Sequence, residues 1–243
     1  YDRLTAVKEG GTVIYRAYYD GDGRLYRTRD EKTGVTSQYD YDLSGKLMRV
    51  AGSDGTSYRY YYDGKDNLSG IRQTAGGKTW TVSYGYDSQY RPTTTKLGNG
   101  KTVTNTYDSL SRLTKITYGL SSAYTVTLGY HAGANGSQST QLSSYQNGSE
   151  SAYRYTYDKN GNIKTITQNG KTVTYTYDGL NQLTREDNQF LNKTIVYAYD
   201  GGGNLTKKTE HAYTTGTPGT AAATVTYSLS LIHISEPTRH LRI

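Results

Sequence analysis

The sequence predicts an all-β fold, a spiral array of antiparallel β-hairpin repeats, and three observations support this prediction. The dipeptide Tyr-Asp recurs about every 22 residues along the chain. The residues that precede it alternate strictly between aromatic and small polar types, which is the period of a strand with one covered face. The chain also has 28 Tyr and 28 Gly but only 3 Pro, a composition that favours strands joined by tight turns over helices.

The Tyr-Asp dipeptide defines the repeat. We treat Tyr39 and Tyr41 as a doublet and Tyr130-His131 as a degenerate copy, and the spacing between copies then runs from 18 to 27 residues. A unit of this length cannot bury its apolar face alone, so neighbouring units must pack against one another. The ten Tyr-Asp copies begin at Tyr1, Tyr19, Tyr39, Tyr41, Tyr62, Tyr86, Tyr107, Tyr157, Tyr177 and Tyr199.

Each repeat opens with a predicted strand that ends at the Tyr of the dipeptide. In one clear copy, Val173, Tyr175 and Tyr177 alternate with threonines. Because successive side chains of a strand point to opposite sides, one face of this strand is aromatic and the other is polar. The same pattern precedes Tyr62 and Tyr86.

The Asp starts a turn of nearly constant length, and Leu or Ile follows six positions after the Tyr. An Asp carboxylate at this place can accept a backbone N–H bond from two residues further on, and a Gly in the turn can adopt positive φ. We therefore assign a structural role to the dipeptides and to two of the turn glycines. These repeat residues are Tyr19, Asp20, Tyr41, Asp42, Tyr62, Asp63, Tyr86, Asp87, Tyr107, Asp108, Tyr157, Asp158, Gly161, Tyr177, Asp178, Tyr199, Asp200 and Gly203.

A second strand completes the repeat and ends in a second turn. Residues 163–167 form such a strand, and the Asn-Gly pairs at Asn169 and Asn99 predict type I′ hairpins. Pro92 stands where Leu is expected and indicates an edge or a bulge. Residues 131–152 read as a repeat with a longer Gly/Ser loop.

These residues resemble the YD repeats of the Rhs family, which are shared with toxin-complex B and C components and with teneurins. The best copies of the Y-D-x-x-G-x-L-T pattern lie at 157–163 and 199–205, and the resemblance covers about 1–228. It implies an array truncated at both ends and part of a large β-shell that encloses a C-terminal toxin or effector segment. The shell of that family is not an enzyme.

The resemblance further implies a secreted or cell-surface bacterial protein whose partners are the remainder of its own shell and the enclosed segment. The Asp-Pro cleavage motif of the family's C-terminal core is absent from this sequence. The alternative function is a cell-surface adhesin whose repeats bind glycans or another cell, because rows of Tyr with Thr and Asn could stack on sugars and bond their hydroxyls.

The last residues depart from the repeat. Residues 229–239 read LSLIHISEPTR, where the next Tyr-Asp was due. This string resembles the translated sequence of an adaptor used to prepare DNA sequencing libraries, and we expect 229–243 to be a non-native tail. A short amphipathic C-terminal strand is the alternative.

No catalytic residue, cofactor site or metal site is predicted. The absence of Cys excludes disulfides and Cys-ligated metals, and no G-x-S-x-G elbow occurs. His131 and His211 have no second ligand at a metal-binding spacing. Residues 20–23 match the opening of a calcium loop, but Arg24 stands at the third ligand position.

The net charge of +7 raises the question of a nucleic-acid partner. The 28 basic residues are spread through all repeats among 21 acidic ones, without the basic block expected of a nucleic-acid-binding stripe. We therefore expect no nucleic-acid binding. No apolar run is long enough to cross a membrane as a helix.

Overall fold

The computed structural model describes residues 3–133 and 138–228 and confirms the all-β prediction. These residues contain strands and turns without any helix, and so no helix that could cross a bilayer. The chain divides into two compact units, 1–125 and 126–243. The expected tail, 229–243, and the first copy at Tyr1 lie outside the described residues.

The first unit contains an antiparallel sheet in which each strand pairs with the next along the chain. Its strands are β1 (Ala6–Glu9), β2 (Thr12–Tyr19), β3 (Leu25–Asp30), β4 (Thr36–Tyr41), β5 (Leu47–Gly52), β6 (Ser57–Tyr62), β7 (Leu68–Ala75), β8 (Lys78–Tyr86), β9 (Pro92–Lys96), β10 (Thr102–Tyr107) and β11 (Leu113–Tyr118).

The second unit has the same meander order. Its strands are β12 (Tyr124–Ala132, of which Val126 onwards belongs to this unit), β13 (Gln138–Asn147), β14 (Tyr153–Tyr157), β15 (Ile163–Gln168), β16 (Lys171–Tyr177), β17 (Leu183–Asn188), β18 (Lys193–Tyr199), β19 (Leu205–Ala212) and β20 (Ala223–Thr226).

Strand pairing corrects one local prediction and decides between the two alternatives of another. Residues 138–147, which we expected within a Gly/Ser loop, form the strand β13 and pair with both β12 and β14. Of the two interpretations of Pro92, an edge or a bulge, the bulge is the one present, because β9 pairs with both β8 and β10 and the register shifts at Pro92. Pro92 occupies the first residue of its strand beside a register shift, a position where Pro is tolerated.

The Asn-Gly turns are of two kinds. Asn169 and Gly170 have φ values of 49° and 73°, so the predicted type I′ turn is present. At Asn99 only the following Gly100 has a positive φ, and the Gly100 N–H bonds to the Leu97 carbonyl. This is a type I turn followed by a left-handed residue, because the loop contains one residue more than a two-residue hairpin allows.

The two faces of each sheet differ, as strand alternation requires. In the second unit, cross-strand pairing places Tyr155, Ile166 and Val173 in one row and Thr156, Thr165 and Thr174 in another. Strands contact mainly their sequence neighbours, so few side chains are covered fully. The buried apolar residues of the described part are Ala17, Val126, Val173 and Ile195.

One region of the second unit has a covered polar face. The connection 213–222 lies over β17 and β18, where Thr194 is completely buried. The Thr194 hydroxyl donates to Asp187 Oδ1 and accepts from the Thr214 N–H. Arg185 bonds the same Asp187 carboxylate and the Thr214 carbonyl. The polar groups are therefore paired, as burial requires.

Candidate functional site: the Tyr-Asp turns

The Tyr-Asp dipeptides occupy equivalent places in both units. Except for Tyr39, which lies within β4, each described Tyr of a dipeptide is the last residue of a strand, and the residue six positions later is the first of the next strand. A register shift accompanies every Tyr–Leu, Tyr–Ile or Tyr–Pro pair, so one extra residue follows the Leu, Ile or Pro on the second strand. The pairs are Tyr19↔Leu25, Tyr41↔Leu47, Tyr62↔Leu68, Tyr86↔Pro92, Tyr107↔Leu113, Tyr157↔Ile163, Tyr177↔Leu183 and Tyr199↔Leu205.

The Asp carboxylate organises the turn that follows. Asp42 Oδ1 accepts the N–H groups of Ser44 and Lys46, each at 2.9 Å. The same pair of bonds, from two and four residues further on, recurs at 2.8–3.1 Å in every turn of the set. The residues are Asp20, Asp42, Asp63, Asp87, Asp108, Asp158, Asp178 and Asp200.

Hydrogen bonding to the ionised form lowers the pKa of two of these carboxyls, those of Asp158 and Asp42. The side chain of Asn162 contributes most at Asp158, and the backbone N–H groups of Asn162 and Asn160 add to it. At Asp42 the Ser44 hydroxyl contributes most. Each pKa lies below the usual value because an ionised carboxylate accepts these bonds better than a neutral one.

The third residue after the Asp adopts a left-handed conformation, with φ between 62° and 86° in all eight turns. Gly161 and Gly203 are among them. Gly is favoured here because it has no Cβ to clash, yet half of the turns use another residue. The left-handed residues are Gly23, Gly45, Asp66, Tyr90, Ser111, Gly161, Asn181 and Gly203.

The Tyr hydroxyl connects consecutive repeats. Tyr62 Oη donates to the carbonyl of Leu47 at 2.9 Å, and Leu47 is the residue that follows the preceding Tyr-Asp turn. The same bond, at 2.8–2.9 Å, recurs along both units. The donor–acceptor pairs are Tyr19–Leu4, Tyr41–Leu25, Tyr62–Leu47, Tyr86–Leu68, Tyr107–Pro92, Tyr177–Ile163 and Tyr199–Leu183.

In the first unit, a basic residue four positions after the Asp makes a second link between repeats at Arg24, Lys46 and Arg91. Arg24 Nε donates to Asp20 Oδ2 at 2.9 Å, and its guanidinium lies 5.6 Å from the ring centre of Tyr41 in the next repeat. Arg91 is placed in the same way between Asp87 and the ring of Tyr107, 4.8 Å away. In the second unit this position is occupied by Asn162, Gln182 and Asn204.

This hydroxyl link was missed by the sequence reasoning, which treated the rings as packing groups only. The composition contained the signal: 28 Tyr stand against a single Phe. A role limited to covering apolar surface would be filled by Phe equally well, whereas a buried or half-buried Tyr usually needs a partner for its hydroxyl.

The acidic groups of the calcium-loop-like turn are paired with a basic side chain of the same turn. Asp22, the second acid of the calcium-loop-like stretch, pairs with Arg24 at 2.9 Å, and Arg24 also bonds Asp20. No group of three or more His, Asp or Glu residues gathers as a metal site within 3–133 and 138–228.

Both internal histidines contact protein groups. His131 Nε2 lies 2.8 Å from the Tyr155 carbonyl, and its ring meets the Tyr157 ring edge-on. His211 Nδ1 lies 2.8 Å from the Gly219 carbonyl, and its Nε2 lies 3.0 Å from Thr209 Oγ1. These contacts stabilise a degenerate Tyr-Asp copy and the 213–222 connection, respectively.

Comparison with known proteins agrees with this geometry. The family model Teneurin YD-shell matches residues 136–234, less than half of the chain. The comparison with curated proteins finds no match.

Among solved structures, the crystal structure of TcdB2-TccC3-Cdc42 is 19% identical with a TM-score of 0.50, over 91% of this chain and 12% of that one. TcdB2-TccC3 without its hypervariable C-terminal region is 17% identical with a TM-score of 0.44, over 91% and 16%. A Tc holotoxin pore from Photorhabdus luminescens is 16% identical with a TM-score of 0.40, over 83% and 15%.

This chain therefore spans a small part of the proteins it resembles, and the first of these structures shows a shared fold. The recurrent Tyr-Asp turns, the family match over 136–234 and that shared fold together confirm the resemblance to the YD-repeat shells of the Rhs family, of toxin-complex components and of teneurins.

Proposed function

We propose that this chain is a non-catalytic segment of an Rhs-type β-shell that encloses a C-terminal toxin or effector segment of the same protein. The observation that carries the proposal is the hydroxyl link, which at seven Tyr-Asp dipeptides joins a repeat to the one before it. A shell wall built of repeats needs such a connection between each repeat and its neighbour. The partners are then the rest of the shell and the enclosed segment, and the protein is exported or displayed on a bacterial surface.

The absence of a catalytic role is part of the proposal. Under it, the Asp carboxylates serve as acceptors for backbone N–H groups of their own turns, and Asp63, for example, also accepts the Asn67 side-chain amide. General acid–base chemistry requires a group within reach of a substrate proton. Hydrolysis of an ester, peptide or glycan by the purified chain, lost on Asp158→Ala, would contradict it.

Protease protection tests containment. The gene is read beyond both ends of this chain and the longer protein is expressed with an epitope tag on its downstream segment. The proposal expects that the downstream segment resists a protease that digests it when it is expressed alone. A Tyr62→Phe, Tyr86→Phe variant should be digested faster, whereas Tyr26→Phe, an exposed Tyr outside the dipeptides, should be as resistant as the wild type.

The adhesin alternative gives a different result in the same experiment. A downstream segment that is digested equally with or without the repeats contradicts containment. Retention of the chain on immobilised glycans, together with a wall-anchoring segment in the longer gene, would then support surface adhesion.

A further inference from the structure

The pairing of β5, β6 and β7 places three arginines side by side. Arg49 pairs directly with Arg59, and Arg59 pairs directly with Arg72. Adjacent strands lie about 4.8 Å apart, so the three side chains leave the same face at that spacing. All three are exposed, and we call them the arginine row.

The arginine row is short of compensating negative charge. The Asp40 carboxylate lies 3.6 Å from Arg49, and the Arg72 guanidinium lies 5.9 Å from the ring centre of Tyr61. Arg59 forms no ion pair within the described residues. Like charges in directly opposed positions destabilise a sheet, so this sequence accepts a cost that a neutral residue at Arg59 would remove.

A second pair of opposed arginines on the same face shows how the fold otherwise handles this conflict. Arg16 and Arg29 are also directly paired, but Glu31 bonds both, at 2.8 and 3.1 Å. Among the described residues, no carboxylate bonds two arginines of the row as Glu31 does; Asp40 approaches Arg49 only. An anion from outside the sheet would supply what Glu31 supplies to the first pair.

An open groove of about 290 Å³ lies beside the arginine row. It is lined by Asp40, Met48, Tyr60 and Tyr61 together with Arg49 and Arg59. Met48 is the extra residue of a bulge, and it is half-buried. The groove therefore offers an apolar contact and one carboxylate next to three cations.

We propose that the arginine row and this groove bind an acidic polypeptide segment. Guanidinium groups pair with carboxylates in a bidentate geometry. A polypeptide can also bring an apolar side chain to Met48 and a donor to Asp40. A nucleic acid presents a continuous run of phosphates, which Asp40 repels. The net charge of +7 of this chain also favours an acidic segment over a basic one.

The proposal does not depend on containment, because the surface would bind such a segment whether it is enclosed or external. The test uses the full chain, immobilised at low density, and a fluorescent peptide that alternates Glu and Ser around a central Leu. Binding is expected to weaken with salt, since exposed charges are screened.

The arginine row is tested with Arg49→Gln, Arg59→Gln, Arg72→Gln in one variant. The matched control, Lys96→Gln, Lys101→Gln, Lys115→Gln, removes the same charge from three exposed lysines. We expect the first variant to weaken binding at least about tenfold and the control by less than about twofold. Circular dichroism verifies that both variants keep the sheet.

Three results would overturn the proposal. The first is an equal loss of affinity in both variants, which indicates net charge alone. The second is equal binding of the same peptide with Gln in place of Glu. The third is tighter, row-dependent binding of an oligothymidylate or a heparin oligosaccharide than of the acidic peptide, which assigns the surface to a nucleic acid or a sulfated glycan.

Discussion

The tyrosine hydroxyl explains why Tyr and not Phe ends the first strand of each repeat. A Phe would cover the same surface, but it would leave the carbonyl of the preceding repeat without its donor. The Tyr86 hydroxyl, for example, lies 2.9 Å from the Leu68 carbonyl. A net contribution of about 1 kcal/mol is usual for such a bond, and the bond recurs at seven of the Tyr-Asp dipeptides.

The turn carboxylates make stability depend on acid pH. Asp158→Ala removes the acceptor of two backbone N–H groups, so we expect a lower urea midpoint than in the wild type at neutral pH. Lys159→Ala, in the same turn, is the control and should leave the midpoint unchanged.

The sign of the pH effect follows from the lowered pKa of Asp158, to which the Asn162 side chain contributes most. Its stabilisation is complete above the unfolded value, about pH 3.9, and is lost as the pH falls through the folded value. The difference in midpoint between wild type and Asp158→Ala should therefore shrink below that pH. A difference that stays constant into strong acid would contradict this role.

We expect the stability of the fold to decline at alkaline pH because of two tyrosines. Burial, assisted by the Glu186 carboxylate, raises the pKa of Tyr175 and of Tyr197 to about 12. The neutral form is thus favoured in the fold, so this stabilisation is present below about pH 10 and disappears as the pH rises toward 12.

Phenolate absorbance and urea unfolding measure this effect. Tyr175→Phe, Tyr197→Phe should reduce the decline in stability between about pH 10 and about 12. The control, Tyr58→Phe, Tyr61→Phe, replaces two exposed rings and should leave the decline as it is. An equal decline in all three proteins would show that other groups cause it.

At the scale of the element, the turn between the two strands of a repeat depends on one left-handed residue. Gly45 has a φ of 86°, and a Cβ added there would meet nothing within 4 Å. Gly45→Ala therefore isolates the backbone cost, about 1–2 kcal/mol. Gly64→Ala, at an open position of the next turn without positive φ, should cost less than about 0.5 kcal/mol. Equal costs, measured by urea unfolding, would contradict the assignment.

Local rules were sufficient for the strands and for most of the turns. Strict alternation before Tyr177 and the six-residue step to Leu183 predicted a strand end and a strand start, and both are present. The turn at Asn99 is the exception: its loop has one residue more than a two-residue hairpin, so it does not form the predicted type I′ turn. Asn-Gly alone does not encode that length.

At the scale of the whole molecule, sequence reasoning failed where distant residues meet. The basic residues are dispersed along the chain, yet strand pairing brings Arg49, Arg59 and Arg72 into one row. The hydroxyl partners of the tyrosines and the burial of Thr194 under 213–222 have the same origin. Each depends on the register between strands, which no single segment specifies.

Replacement of seven linking tyrosines by Phe tests the central claim, that hydroxyl bonds join consecutive repeats, most directly. The variant changes Tyr19, Tyr41, Tyr62, Tyr86, Tyr107, Tyr177 and Tyr199. Its control changes seven tyrosines outside the Tyr-Asp dipeptides, namely Tyr15, Tyr18, Tyr26, Tyr60, Tyr61, Tyr84 and Tyr118.

Urea unfolding, followed by circular dichroism at low protein concentration, is the measurement. We predict that the linking variant unfolds at a lower midpoint and with a shallower slope than the control, because its repeats no longer unfold as one cooperative unit. A midpoint and slope equal to those of the control would contradict the claim.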